Sequence, residues 1–177
     1  AIKTAPGISH EDISGDKLEL TAQRLITELS QSGLYDRKNT CISCWHCNDF
    51  ESEAMWKLYS VNVTNAVAIE TTYQRLYQAL DEDPYVDIGK VKYIDYGKQF
   101  SGIGCGAFWY KRKSFEHERE VRALIRNPKN DGKGISHPIN LNVLIKNIYV
   151  SPYAPEWFAM VVQDIVKKYN LDKPVVY

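Results

Sequence analysis

The chain has 177 residues, 44% of them hydrophobic and 12% aromatic, which is enough to bury the core of one domain of ordinary size. Its 22 basic residues balance its 22 acidic residues, so net charge provides no bulk attraction to nucleic acid or to an anionic membrane. No run reaches the roughly 18 apolar residues that a membrane span needs, and the N-terminus lacks the apolar centre of a secretory signal. We therefore expect a single cytoplasmic domain with no membrane contact.

Helical and strand patterns follow one another without strict alternation. Residues 1–16 are rich in Gly, Pro, Ser and Asp, which predicts a loop. Apolar spacing of three and four predicts helices over residues 17–31, 50–59, from Thr71 to Asp83-Pro84, and from Pro155 onward. Predicted strands are residues 40–45, 65–70, 89–96, 118–125, 147–150 and 175–177. Together they predict an α+β domain with a mixed, mostly antiparallel sheet of five or six strands and four or five helices around it.

Three cysteines and a histidine lie within the segment Cys41–Cys47. On a strand, Cys41 and Cys44 face opposite sides, as do Cys44 and Cys47, so they do not converge on one ion. A zinc site also needs a second pair of ligands, and Cys105 is alone. This pattern predicts buried, reduced cysteines and no metal site, with His46 either a structural or a pocket residue.

Charged residues concentrate in the segment Phe115–Arg122. If residues 118–125 form a strand, Glu118, Glu120 and Arg122 share one face. Two neighbouring carboxylates titrate together, which can raise one pKa, and Arg122 moderates that effect. Two interpretations remain open: the floor of a polar cleft, or an exposed edge strand carrying ion pairs.

Five segments carry a resemblance to a known family: CW-H with ESEAMWKLYS, AVAIETT, GKVKYIDY, KRKSFEHEREVRALI and LIKNIYVSPYAPEWF. In this order they resemble a bacterial family called domain of unknown function 2971. The resemblance covers about residues 40–177, and the Met-Trp-x2-Tyr and Phe-x-His-Glu-x-Glu-x-Arg segments are its most specific parts. Members of the family are bacterial or phage proteins, some of them encoded near defence genes.

The chain is also distantly similar to the ADP-ribosyltransferase superfamily, especially its DNA-modifying toxin branch. That similarity implies an enzyme that uses NAD to modify a nucleic acid or protein. Tyr59 matches the middle aromatic position and Glu120 the late glutamate, with Glu118 as the other candidate. The implied substrate-binding residues are Arg122 or Arg112 for pyrophosphate, Trp56 or Trp45 for nicotinamide, and His46 and His117 beside them.

Residues 1–40 lack the aromatic-rich strand and acidic turn with which that family begins. The chain also begins without methionine. Two expectations remain open: a missing N-terminal segment that leaves the pocket incomplete, or a site that is not of this type.

Two other functions remain as alternatives. One is a non-catalytic module that binds a nucleotide or nucleic acid through Phe108-Trp109-Tyr110 and Lys111-Arg112-Lys113. The other is a metal-dependent nuclease that uses Glu116, His117, Glu118 and Glu120.

Overall fold

The computed structural model describes residues 15–80, 85–99, 104–127 and 132–177. The helices are α1 (Gly15–Asn39), α2 (Glu53–Tyr59), α3 (Tyr73–Leu80), α4 (Leu141–Leu144) and α5 (Glu156–Lys168), with 3-10 helices at Val63–Asn65, Gly104–Trp109 and Lys113–Glu118. The strands are β1 (Thr40–His46), β2 (Val67–Glu70), β3 (Val86–Lys90), β4 (Lys92–Ile94), β5 (Tyr110–Arg112), β6 (Glu120–Arg126), β7 (Asn147–Val150) and β8 (Val175–Val176). The predicted α+β class is confirmed. Of the loop predicted over residues 1–16, residues 1–14 lie outside the described residues, and Gly15 and Asp16 belong to α1 instead. The helix stop predicted at Asp83-Pro84 also lies outside the described residues.

The strands form three small sheets. In the first sheet β6 is central and pairs antiparallel with β1 on one side and β3 on the other. In the second, β7 pairs antiparallel with β2 and parallel with β8. The short strands β4 and β5 pair in parallel. Antiparallel pairing therefore predominates, as the sequence predicts, but the strands are divided among several sheets.

The two faces of the first sheet differ at the start of β6. The β1–β6 register places His46 opposite Glu120 and Trp45 opposite Val121. Residues directly opposite each other share a face, and successive residues alternate between faces. Glu120, Arg122 and His46 therefore belong to one face, and Trp45 and Val121 belong to the other.

The main apolar core lies between the second sheet and α5. Residues that are buried there are Ile145, Ile148, Val150, Ala154, Ala159, Val162 and Val166. The buried stripe of α5 thus consists of Ala159, Val162 and Val166, which are spaced three and four apart. Val161, Ile165 and Tyr169, which the apolar pattern predicts to face inward, are instead largely exposed.

Helix α1 is longer and less covered than its sequence predicts. It continues to Asn39 because Gly33 does not end it, and a single glycine inside a helix costs only about 1 kcal/mol. The predicted apolar stripe is present, but Leu18, Leu25 and Leu29 are each half or more exposed. Within the described ranges, no helix combines the length and the apolar character needed to cross a bilayer.

The predicted strand over residues 89–96 is divided at Val91. Strand β3 ends at Lys90 and β4 begins at Lys92, and the Val91 N–H donates to the Glu120 carbonyl at 2.9 Å. The chain changes partner here, from β6 to β5, which brings Tyr93 beside the start of β6.

Candidate functional site

Four ionisable side chains meet at the start of β6, and we name Lys111, Glu118, Glu120 and Arg122 the charged cluster. Lys111 Nζ lies 3.0 Å from Glu120 Oε1 and also donates to Glu118 Oε2. Arg122 places Nε at 2.7 Å and Nη2 at 2.6 Å from Glu120 Oε2. Glu118 and Glu120 are 8% and 7% exposed, so both carboxylates are buried and both are paired. This arrangement excludes the exposed-edge interpretation of the segment.

The backbone turn at Arg119 brings the two carboxylates together. The sequence predicts that Glu118 begins the strand, and this is wrong: Glu118 is the last residue of the 3-10 helix Lys113–Glu118. Arg119 has a φ of 43°, in the left-handed region, and β6 begins at the next residue. Glu118 therefore lies before the left-handed residue and Glu120 after it, and Lys111 contacts both carboxylates without strand alternation between them.

The pairing keeps Glu120 ionised. Burial by itself raises the pKa of Glu120, but hydrogen bonds from Lys111 and Arg122 and the positive charge of Arg122 outweigh it and hold the pKa below its usual value. For Lys111, burial lowers the pKa, and the hydrogen bonds to Glu118 and Glu120 outweigh that and raise it. Glu120 is therefore suited to stabilise a positive charge at neutral pH, and it is not a proton donor there.

Two tyrosines contact the cluster from different elements. The Glu120 N–H donates to Tyr93 Oη at 2.8 Å, and loss of water raises the pKa of the Tyr93 phenol. Tyr59, at the end of α2, has its hydroxyl beside Glu118; partial desolvation of that hydroxyl and the charge of Glu118 raise its pKa. Tyr59 is nevertheless 67% exposed as a residue, so its ring faces solvent while its hydroxyl meets the cluster.

His46 and Cys44 line the cluster from the edge strand β1. His46 Nδ1 lies 2.5 Å from the Glu118 carbonyl oxygen. A carbonyl can only accept, so Nδ1 carries the proton and Nε2 is the ring atom that can accept one. Cys44 lies opposite Arg122; burial and Glu120 raise the pKa of its thiol, while Arg122 lowers it.

The prediction that the cysteines are buried is wrong. Cys44 and Cys47 are exposed free thiols, and Cys41 is half-buried. Because β1 is an edge strand, its apolar sequence does not ensure cover on both sides. Cys44 is exposed by surface area, although the side chains around it still desolvate its sulfur in part.

Four residues predicted for the site lie elsewhere. Trp45 belongs to the opposite, apolar face of the sheet. Trp56 is 7% exposed, and its Nε1–H donates to Glu51 Oε1 at 2.5 Å, so its ring is packed inside the protein. Arg112 is exposed and alternates with Lys111 along β5, and His117 is exposed on its 3-10 helix. The expected stacking and phosphate roles of Trp45, Trp56 and Arg112 therefore do not fit their positions.

Lys111 and Tyr93 belong to the site, although no sequence pattern places them there. The basic stretch Lys111-Arg112-Lys113 predicts a contact with a nucleotide or nucleic acid, and only the pairing of β5 with β4 turns Lys111 toward the carboxylates. No sequence pattern around Tyr93 indicates the site, because the position of Tyr93 depends on the interruption between β3 and β4 at Val91.

Comparison with models of known protein families, with curated proteins and with solved structures gave no match. In the part of the chain that the structure describes, no group of three or more His, Cys, Asp and Glu residues could hold a metal ion.

Proposed function

We propose that the charged cluster binds the nicotinamide ribose of NAD, and that the protein transfers ADP-ribose to an acceptor on a nucleic acid or protein. The observation that supports this most is the ionised Glu120 carboxylate, which Lys111 and Arg122 hold in place beside an exposed tyrosine ring. A fixed anion of this kind stabilises positive charge in a transition state at little reorganisation cost.

The reaction begins with cleavage of the bond between nicotinamide and ribose C1′. The bonding electron pair leaves with nicotinamide, and positive charge develops on the ribose as an oxocarbenium-like ion. Glu120 stabilises that charge. The acceptor nucleophile then forms a bond to C1′ and loses a proton, which His46 Nε2 can accept because His46 lies opposite Glu120 in register.

The contacts of Arg122, Lys111 and Tyr59 suit each of them to a different role in binding NAD. Arg122 donates Nε–H and Nη2–H to Glu120 and Nη1–H to the Phe108 carbonyl, so it positions Glu120 and has little capacity left for phosphate. Lys111 is 24% exposed and has three N–H donors, two of which meet carboxylates. Lys111 is therefore the cation best placed to contact pyrophosphate, and Tyr59 is the ring best placed to stack on nicotinamide.

A nicotinamide-release assay tests this proposal. NAD is incubated with the protein and with water, DNA, RNA or cell protein as acceptor, using Glu120→Gln and a matched control, Glu116→Gln. Glu116 is an exposed glutamate on the neighbouring 3-10 helix. We expect the release rate to fall at least about 100-fold in Glu120→Gln and to stay near wild type in Glu116→Gln.

Two outcomes distinguish the alternatives. If ADP-ribose binds at the cluster but no acceptor supports release, the protein is a non-catalytic nucleotide-binding module. If release continues unchanged in Glu120→Gln, the transferase proposal is wrong. The nuclease alternative gains no support, because Glu116 and His117 are exposed while Glu118 and Glu120 share Lys111.

A further inference from the structure

Helix α1 presents an exposed apolar stripe on its N-terminal part. Residues 17–32 are all exposed, which is roughly four turns of the helix, so this part of α1 extends beyond the body of the protein. One side of these turns carries apolar residues spaced three and four apart, which we name the α1 stripe: Leu18, Ala22, Leu25, Ile26 and Leu29. Most helical stability in proteins comes from packing such a stripe against another element, so we expect the α1 stripe to have a partner.

The α1 stripe is complementary to itself when two copies of α1 run antiparallel. With a twofold axis through the middle of the stripe, Leu18 faces Leu29 of the second copy, and Ala22 faces Leu25 of the second copy. A small side chain then meets a large one at the centre, and two leucines meet toward each end. A parallel pair would instead place Ala22 against Ala22 of the second copy, which leaves a gap in that layer.

The charges beside the stripe favour the same arrangement. Lys17, Arg24 and Glu28 lie along one flank of the helix, where Arg24 Nε is 2.7 Å from Glu28 Oε1. In an antiparallel pair with twofold symmetry each flank faces its own copy, so Lys17 lies within about one helical turn of Glu28 of the second copy. This contact occurs twice in the pair and joins opposite charges, which sets the orientation of the two helices.

The charge balance of α1 favours a second copy over a membrane surface. The helix contains four acidic residues (Asp16, Glu19, Glu28 and Asp36) and four basic residues (Lys17, Arg24, Arg37 and Lys38), so two copies do not repel each other. A helix that lies on an anionic membrane instead carries an excess of Lys and Arg on its polar face.

The connection of α1 to the body leaves room for an antiparallel pair. The helix ends at Asn39, which is buried, and β1 begins at the next residue. The body of the protein is therefore attached at the C-terminal end of α1. Antiparallel pairing places the two bodies at opposite ends of the helix pair, whereas parallel pairing would place both at the same end.

We propose that the protein forms a twofold-symmetric dimer in which the α1 stripes of two copies pack antiparallel. The layers of Leu18 with Leu29 and of Ala22 with Leu25 form the apolar centre, and Lys17 with Glu28 forms the polar rim. This interface lies on α1, away from the charged cluster at the start of β6, and does not depend on the proposed transferase activity.

Sedimentation equilibrium of the full chain tests the proposal with Leu25→Glu and a matched control, Leu20→Glu. Both leucines are exposed in the single chain, but Leu20 lies on the side of α1 opposite the stripe. Circular dichroism confirms that each variant is folded. We expect wild type and Leu20→Glu to form a dimer at micromolar concentration, and Leu25→Glu to raise the dimer dissociation constant at least about 100-fold. A monomeric wild type, or an equal effect of the two substitutions, would overturn the proposal.

A charge exchange tests the orientation of the helices. Lys17→Glu should weaken the dimer about three- to tenfold, and adding Glu28→Lys in the same chain should restore it. Failure of the second substitution to restore the dimer would overturn the antiparallel arrangement. Sedimentation with vesicles of phosphatidylserine and phosphatidylcholine completes the test. A monomeric wild type that binds the vesicles, and loses that binding in Leu25→Glu, would assign the α1 stripe to a membrane surface and overturn the dimer.

Discussion

Lys111 Nζ lies 3.0 Å from Glu120 Oε1, and only 8% of the Glu120 side chain is exposed. The pair joins β5 to β6, two strands that belong to different sheets. Removing Glu120 leaves Lys111 with Glu118 alone, and removing Lys111 leaves Glu120 with Arg122 alone. Loss of one partner from a largely buried cluster is more costly than the loss of an exposed ion pair.

Glu120→Gln should therefore lower the free energy of unfolding by about 1–3 kcal/mol. The amide can still accept hydrogen bonds, but it cannot balance the charges of Lys111 and Arg122. Urea denaturation at pH 7 measures the change. Glu116→Gln removes a neighbouring exposed charge and should change stability by no more than about 0.5 kcal/mol. An equal effect of the two substitutions would show that the cluster does not stabilise the fold.

The lowered pKa of Glu120 predicts that the free energy of unfolding decreases at acidic pH. Its folded-state value lies below the unfolded-state value of about 4.3, so the stabilisation is present above that pH and is lost as pH falls through the folded-state pKa. The stability difference between wild type and Glu120→Gln should therefore shrink as pH falls from about 5 toward 3. Denaturant unfolding across that range measures it, and a constant difference would contradict the depressed pKa.

Gly89 is expected to be intolerant of a side chain. A Cβ there would lie 2.9 Å from Cζ3 of the Trp109 ring. Gly89→Ala should displace that ring, lower stability by about 1–3 kcal/mol and alter tryptophan fluorescence. Gly33→Ala is the matched control, because nothing lies within 4 Å of the new atom, and it should stabilise α1 by about 0.5–1 kcal/mol. A neutral Gly89→Ala would mean that the ring does not rest on the backbone at this position.

The thiol of Cys44 should report on the charges around it. Burial and Glu120 raise its pKa and Arg122 lowers it, and the thiolate is the reactive form. Arg122→Gln should therefore slow alkylation of Cys44 at pH 7 by about two- to tenfold. Peptide mapping after timed iodoacetamide treatment measures the rate. Arg112→Gln, which changes an exposed arginine, should leave it unaltered, and faster alkylation in Arg122→Gln would contradict the account.

Strand periodicity predicts part of the site and tertiary pairing supplies the rest. Glu120 and Arg122 are two residues apart on a strand, so their shared face follows from the sequence alone. Lys111 and Tyr93 join them only because β4 pairs in parallel with β5 and because the strand predicted over residues 89–96 is interrupted at Val91. No local sequence pattern indicates the pairing or the interruption. The sequence predicts that Glu118 shares a face with Glu120 by strand alternation. Glu118 instead lies at the end of the 3-10 helix, before the left-handed residue Arg119.

Burial was the least predictable property. An apolar run such as TCISCW looks the same on an edge strand and on a central strand, and β1 is an edge. Similarly, the apolar stripe of α1 predicts an inward face, yet Leu18 and Leu25 are more than half exposed. Periodicity shows which residues share a face, whereas the presence of a covering element depends on the whole fold.

Calorimetric titration with ADP-ribose tests the central claim most directly, because it separates nucleotide binding at Glu120 from catalysis. The titration is run on wild type, Glu120→Gln and Glu116→Gln, each confirmed as folded by circular dichroism. We expect wild type and Glu116→Gln to bind ADP-ribose alike, and Glu120→Gln to bind it at least about tenfold more weakly. No binding by wild type, or equal binding by all three, would contradict the assignment of the charged cluster as a nucleotide site.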